Sequence, residues 1–298
     1  MFEFLANTFG YLLQVLYNLV NNYGLAIILF TLIIKIVLLP LSIKQQKTMK
    51  KSAKMQEKIK VIQFKYKNDT EKMNQEMMNL YKNENMSPFS GCLTTIIQML
   101  LLLSIFYLVR SPLTYMEKVP QGSINTYIQQ LKDGEKTVSN VYPEIDLIRE
   151  YNYLKEQNPE DENVEKLNLQ MNFLGLDLSK IPQQNISDYT VYIIPVLYIL
   201  SSFISIRLTT SIQSRSKKEK KNEEITIDGK TGEELKEENE NSQPDSLAQT
   251  NKMMSWMMPI LSISIAFVAP LGLALYWLVN NILMIVERLV LDKVLKES

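Results

Sequence analysis

The chain has 298 residues, 32 basic and 32 acidic side chains, 46% hydrophobic residues and no histidine. Zero net charge points to no strongly charged partner, and the missing histidine removes histidine-based acid–base and nucleophilic catalysis along with the commonest metal ligand. A single cysteine, Cys92, allows no internal disulfide, and no G-x-x-x-x-G-K-[ST] loop marks a site for nucleotide phosphates.

Residues 1–20 place Phe2, Leu5, Phe9, Leu12, Leu13 and Leu16 at helical spacing, without a basic start or an A-x-A-like cleavage site. This predicts an amphipathic helix lying in the membrane interface rather than a removed signal peptide. A simple extension of the first span is the alternative. Apolar runs of roughly 17–25 residues cross a bilayer, and they recur. The first span is expected over residues 21–43 and the second over 89–110. The third is expected over 189–208, with Tyr189 and Tyr192 at the level of an aromatic belt. The last apolar stretch is too long for one helix. Pro270-Leu271-Gly272 divides it into spans at 253–269 and 271–290, joined as a close hairpin. A single kinked helix is the alternative, and it would put the C-terminus on the other side. A short tail, 291–298, follows.

The connections set the orientation. Residues 44–82 hold eleven lysines against four acidic residues, whereas 111–188 hold seven basic and thirteen acidic residues. Arg207, Arg215, Lys217, Lys218, Lys220 and Lys221 follow the third span. Lysine and arginine stay on the cytoplasmic side. The expectation is therefore an all-α integral membrane protein with five transmembrane helices, N-terminus outside and C-terminus inside. Within the inner segment at 44–88, Met55, Ile59, Ile62 and Tyr66 share one helical face. Asn68 with Glu71 reads as a capping box that starts a second helix carrying Met73 and Met77. The segment is expected to be a cytoplasmic helical hairpin. Its methionines pack the two helices together or offer an adaptable apolar surface to varied binding partners. The extracytoplasmic loop at 111–188 shows helical patches but little core. The polar 209–252 loop is expected to be disordered.

Lys35 lies deep in the first apolar run. A lysine at the centre of a span costs about 2.5–3.5 kcal/mol on insertion scales and usually faces a bundle interior or a wet cavity. Snorkelling is the bland reading, but Ile43 is about 12 Å of helix away at 1.5 Å per residue, too far for a lysine stem to reach comfortably. Thr31 lies one turn earlier on the same face. Spans two, three and five add Thr94, Thr95, Gln98 and Ser104, then Ser201, Ser202 and Ser205, then Trp277, Asn280 and Asn281. Each alone is an ordinary helix-packing residue; together with Lys35 they can line one polar cavity. No acidic residue lies in spans one to four, and Glu287 sits near the inner end of span five. An anion transporter would use Lys35, but no internal repeat and no second intramembrane charge supports one. An intramembrane hydrolase would be left with a serine–Lys35 dyad.

Asn22-Tyr23-Gly24, Lys65-Tyr66-Lys67, Ser90-Gly91-Cys92-Leu93, Phe173-Leu174-Gly175-Leu176-Asp177-Leu178 and Gly272 through Trp277, in that order, resemble motifs of the YidC/Oxa/Alb membrane insertase family, in a Gram-positive-like form. Asn22-Tyr23-Gly24, Thr31, the basic residue at 35, Pro40-Leu41 and Gln45 resemble its first core span. Lys54-Met55, Lys65-Tyr66-Lys67 with Asp69, and Leu80-Tyr81-Lys82 resemble its cytoplasmic hairpin. Ser90-Gly91-Cys92-Leu93, Gln98-Met99 and Phe173-Leu174-Gly175-Leu176-Asp177-Leu178 resemble the entries to spans two and three. Met258-Pro259-Ile260, Pro270, Gly272 through Trp277 and Asn280 resemble the last hairpin. The resemblance implies a chaperone and insertase that needs no cofactor, no metal, no catalytic residue and no nucleotide hydrolysis of its own. A hydrophilic groove, here Lys35, Thr31, Gln98, Ser205 and Asn280, would open to the cytoplasm and to lipid. Clients would touch Thr31, Tyr276 and Trp277, and make early contact with Met55, Ile59, Met73 and Met77 of the hairpin. Implied partners are nascent membrane proteins, the lipid bilayer, the Sec translocon and the ribosome, with the monomer as the working form. Lysine stands at 35 where the family usually has arginine, Thr94 and Leu100 stand where prolines are frequent, and Ser205 replaces a glutamine of some members. The tail ends LDKVLKES and is not basic, so tail-mediated ribosome binding is not expected.

Overall fold

The computed structural model describes residues 2–85, 90–218, 226–227, 230–231 and 265–297. Helices dominate, and the sheets among these residues are two two-stranded ladders. Among the described residues, three helices are long and apolar enough to cross a membrane, at Tyr23–Thr48, Tyr189–Ser211 and Leu271–Val294, and a shorter apolar stretch of helix runs over Met99–Arg110. The chain is an all-α membrane protein. It divides into two compact units, one of residues 1–37, 98–203 and 259–286, the other of 38–97, 204–258 and 287–298.

The first unit begins with α1 (Phe2–Val20). Ala6, Leu13, Leu16 and Tyr17 are buried, while Phe4, Tyr11, Val15 and Leu19 are exposed. Asn21, at φ 47°, donates its N–H to the Tyr17 carbonyl and ends the helix in the left-handed region that asparagine tolerates. Asn22 then starts α2 (Tyr23–Lys65), its side-chain oxygen accepting the Leu25 N–H at 3.0 Å. Tyr23, Ala26, Ile27 and Phe30 form the buried stripe of α2, and the Phe30 ring meets Phe9 of α1 edge-on at 5.7 Å. From α4 (Ser90–Arg110), Ile105, Leu108 and Val109 join the same core.

The stretch after α4 corrects the expectation of a loop with little core. It folds into α5 (Pro112–Tyr115), α6 (Gln121–Asp133), α7 (Pro143–Arg149), α8 (Tyr151–Gln157) and α9 (Glu162–Glu165), then a hairpin of β1 (Asn172–Phe173) and β2 (Leu176–Asp177). Leu113, Met116, Ile124, Tyr127, Leu131, Leu147, Leu154, Val164 and Leu167 are almost fully buried. The elements are too short to show a long helical period, so their apolar residues do not stand out as a core until they are brought together. Buried polar groups are satisfied there: Glu144 accepts from the Thr114 N–H and hydroxyl at 3.0 and 2.6 Å, and Asp146 pairs with Arg149 at 2.5 Å and accepts the Ser139 N–H at 2.6 Å. Gly10 lets α1 approach α5 closely, since a Cβ there would collide with the Tyr115 carbonyl oxygen.

In the second unit, α2 continues unbroken past the expected boundary at 43 to Lys65. Residues 44–65 contain no glycine or proline and are rich in helix-favouring lysine, glutamine and methionine. The following α3 (Thr70–Asn83) is capped by Asp69, which accepts the Lys72 N–H at 3.0 Å, and not by Asn68. Glu71 therefore sits in the first turn, where it opposes the helix dipole without closing a capping box. Glu84, after α3, ties the hairpin: its carboxylate pairs with Lys58 at 2.7 Å and its carbonyl accepts from Lys51. Lys65 and Lys72 both lie over the Tyr66 ring at the turn. The third span enters through a 3-10 turn at Tyr189–Tyr192 and becomes α10 (Ile193–Lys218), which runs beyond the expected end at 208. The Thr209 and Thr210 hydroxyls bond back to the carbonyls one turn earlier, so the polar side chains there are accommodated within the helix. Two short strands, β3 (Thr226–Ile227) and β4 (Lys230–Thr231), pair inside the segment expected to be disordered. The last helix, α11 (Leu271–Glu297), belongs to both units; most of the fourth expected span, 253–264, lies outside the described residues.

Candidate functional site

In the first unit, residues 170–180 tie together the starts of α2 and α11. The Gln170 N–H donates to the Tyr17 hydroxyl at 2.8 Å, and the Gln170 carbonyl accepts the Tyr23 N–H at 3.0 Å. The Asn22 amide donates to the Asn172 carbonyl at 2.7 Å. Gly24 lies against the Phe173 ring so closely that any Cβ would overlap it. At α11, the Leu271 and Gly272 N–H groups donate to the Lys180 and Leu178 carbonyls, each at 2.9 Å. These are the helix-start donors that have no partner within their own helix. Three motifs far apart in sequence, at 22–24, 173–178 and 270–272, are thus one hydrogen-bonded assembly.

Beyond it lie the polar side chains of the apolar helices. Asn281 of α11 is buried, and its amide donates to both Ser201 and Ser202 of α10 at 3.0 Å. The Ser201 hydroxyl donates onward to the Tyr198 carbonyl at 2.8 Å, and the Tyr198 ring lies 5.9 Å from Trp277. Thr31 is 2% exposed, and its hydroxyl donates to Ile27 of its own helix at 2.6 Å. Lys35, one turn on, is half-buried. Tyr276 is buried, whereas Trp277 and Asn280 keep part of their surface. The side chains of Thr94, Thr95 and Gln98 lie outside the described residues, and Ser104 is buried with its hydroxyl bonded to Leu100 at 2.8 Å.

The second unit holds Ser205, which is buried beside Arg288. The Arg288 guanidinium donates to the Thr209 hydroxyl and, at 3.5 Å, to that of Ser205. Arg288 lies within the Leu271–Val294 helix, which is long and apolar enough to cross a membrane, so a charged side chain stands on a second such helix besides the one that carries Lys35. The sequence carried a signal for it: Trp277, Asn281 and Arg288 are spaced i, i+4, i+11 along one helical face. Of the hairpin positions, Met55 is buried, and Ile59, Met73 and Met77 are half-buried.

The sequence model of the family described as 60Kd inner membrane protein matches residues 15–298. The chain belongs to this family. A Buchnera aphidicola relative named membrane protein insertase YidC is 44% identical over 108 residues, which are 36% of this chain and 20% of that protein. A Treponema denticola relative of the same name is 25% identical over 287 residues, 96% of this chain and 37% of its own length. One from Fusobacterium nucleatum is 37% identical over 111 residues, 37% of this chain and 54% of that protein. The matches therefore span little more than half of these relatives, or less. Membership of the 60Kd inner membrane protein family and the apolar helices make this a multi-pass protein of the cell membrane.

Proposed function

We propose that this member of the 60Kd inner membrane protein family is an insertase and chaperone for membrane proteins. The observation that carries this is the family match over residues 15–298, with one relative named membrane protein insertase YidC aligned along 96% of the chain. On this reading five spans place the N-terminus outside and the C-terminus inside, as the lysine-rich 44–82 segment favours. Residues 170–180, on the outer side, close the translocation path there. The polar side chains further along the helices belong to a groove that opens inward and to lipid.

The mechanism is thermodynamic. A polar client segment crossing bare hydrocarbon forfeits hydrogen bonds to water at roughly 2–7 kcal/mol per group. A wet groove part-way across the bilayer shortens that dry path. Lys35 and Asn280 hold water in it, and Lys35 attracts acidic client residues. Burial of the client's own apolar helix in lipid, along the exposed edge of Trp277, supplies the driving force, so no nucleotide is consumed. Thr31 and Tyr276 pack the helices behind that edge and meet clients only as those helices separate. Nascent membrane proteins and lipid are the partners of the core reaction, which a monomer performs; the Sec translocon and the ribosome deliver clients to it. The test uses the purified chain alone in liposomes, with a single-span client and no nucleotide. Protease protection of the client's polar end above that in protein-free liposomes is the expected result; equal protection would overturn the proposal.

A further inference from the structure

The β1–β2 hairpin turns through Leu174 and Gly175, whose φ values are 52° and 82°. Two consecutive residues in that region make a tight hairpin turn that favours asparagine or glycine at its first position. Leucine there meets the Cβ clash that makes left-handed backbone costly. Nor does the protein bury it, for Leu174 is 86% exposed. A strained conformation and an exposed apolar side chain thus fall on the same residue.

The hairpin's place in the fold supplies the missing surroundings. Asn172 is bonded to Asn22, just before α2, and Phe173 packs on Gly24, just inside it. Strand β1 thus lies against the start of α2, where the apolar run begins, and Leu174 is the next residue. The other strand lies beside the 3-10 turn Tyr189–Tyr192, where a second apolar helix begins. Ile186 and Tyr189, at that entrance, are 68% and 85% exposed. We propose that the Leu174–Gly175 tip is a wedge seated in the lipid interface on the face of the membrane where α2 and α10 begin, with Ile186 and Tyr189 at its flank. Its occupant is the boundary between lipid headgroups and acyl chains, where apolar and aromatic side chains gain burial while backbone polar groups remain hydrated. This inference rests on the membrane-spanning helices and not on the insertase reading.

The test places an environment-sensitive nitrobenzoxadiazole label at Leu174→Cys in a Cys92→Ser background. The protein is reconstituted in phosphatidylcholine–phosphatidylglycerol vesicles carrying nitroxides high on the acyl chain. Lys132→Cys, at an exposed position of α6, is the control. Blue-shifted emission at 174, quenched several-fold more strongly than at 132, is expected; equal quenching would overturn the wedge. The unaltered chain gives a second readout, footprinting with a diazirine-bearing phospholipid. Adducts should concentrate on the 170–180 peptide relative to 121–133, and an even distribution would contradict the proposal, including the case in which a protein partner covers the tip instead.

Discussion

The amide of Asn281 ties two apolar helices together through Ser201 and Ser202. Such bonds within membrane helices are worth about 0.6–2 kcal/mol each. Asn281→Leu removes both donors and leaves the serine oxygens to find other partners, so a loss of roughly 1–3 kcal/mol is expected; unfolding in detergent measures it. Tyr23 gives the opposite expectation. Its hydroxyl is buried and has no hydrogen-bond partner among the described residues. Tyr23→Phe deletes an unsatisfied group, so the melting temperature should hold or rise. Glu144 supplies a pH signature. Burial pushes its carboxyl above the ordinary range, against the lowering effect of the Thr114 bonds. Burial raises Asp146 as well, against the Ser139 N–H and Arg149. A raised carboxyl binds its proton more tightly in the folded state, so stability is highest in acid and falls as pH climbs through the raised range. Asp188 runs the other way: its bond from Lys180 holds it down to about 2, so its contribution persists until strong acid. As pH falls toward the ordinary glutamate range, the wild type should therefore gain stability relative to Glu144→Gln. Parallel melting curves for the two would contradict this assignment.

Among the elements, close approach replaces side-chain volume where α2 meets β1. Gly24→Ala must displace the Phe173 ring, at an expected cost of about 1–3 kcal/mol. Combining it with Phe173→Ala should cost less than the two changes summed, a coupling that unfolding of the four proteins reads directly. What the sequence made legible at this scale follows physical range. The apolar runs at 21–43 and 189–208 announce their helices because bilayer thickness sets the length of run to seek. The Asn22-Tyr23-Gly24 and Phe173–Leu178 motifs were visible as a resemblance, but their meeting was not, since it depends on hydrogen bonds across some 150 positions of sequence. The core within 111–188 stayed hidden because no helix there exceeds 13 residues. The cap shifted from Asn68 to Asp69 because both residue types favour that position and only backbone geometry chooses between them. Polar type against an apolar background made Lys35 and Ser201 stand out as candidates in the sequence. Which asparagine bonds across to Ser201 and Ser202 was not legible, because that depends on a rotation of one residue about the helix axis.

At the scale of the molecule, apolar helices carry fixed polar contacts inside them, one set of helix starts is sealed by residues 170–180, and a lysine-rich hairpin extends from the first span. The central claim is that a positive charge at position 35, within the first apolar helix, is what the groove requires. The direct measurement is insertion of a single-span client with an acidic translocated segment by purified wild type, Lys35→Arg, Lys35→Ala and Lys35→Glu in matched proteoliposomes. The account predicts that Lys35→Arg inserts nearly as well as wild type, that Lys35→Ala falls several-fold and that Lys35→Glu falls further. Equal insertion by all four would contradict it.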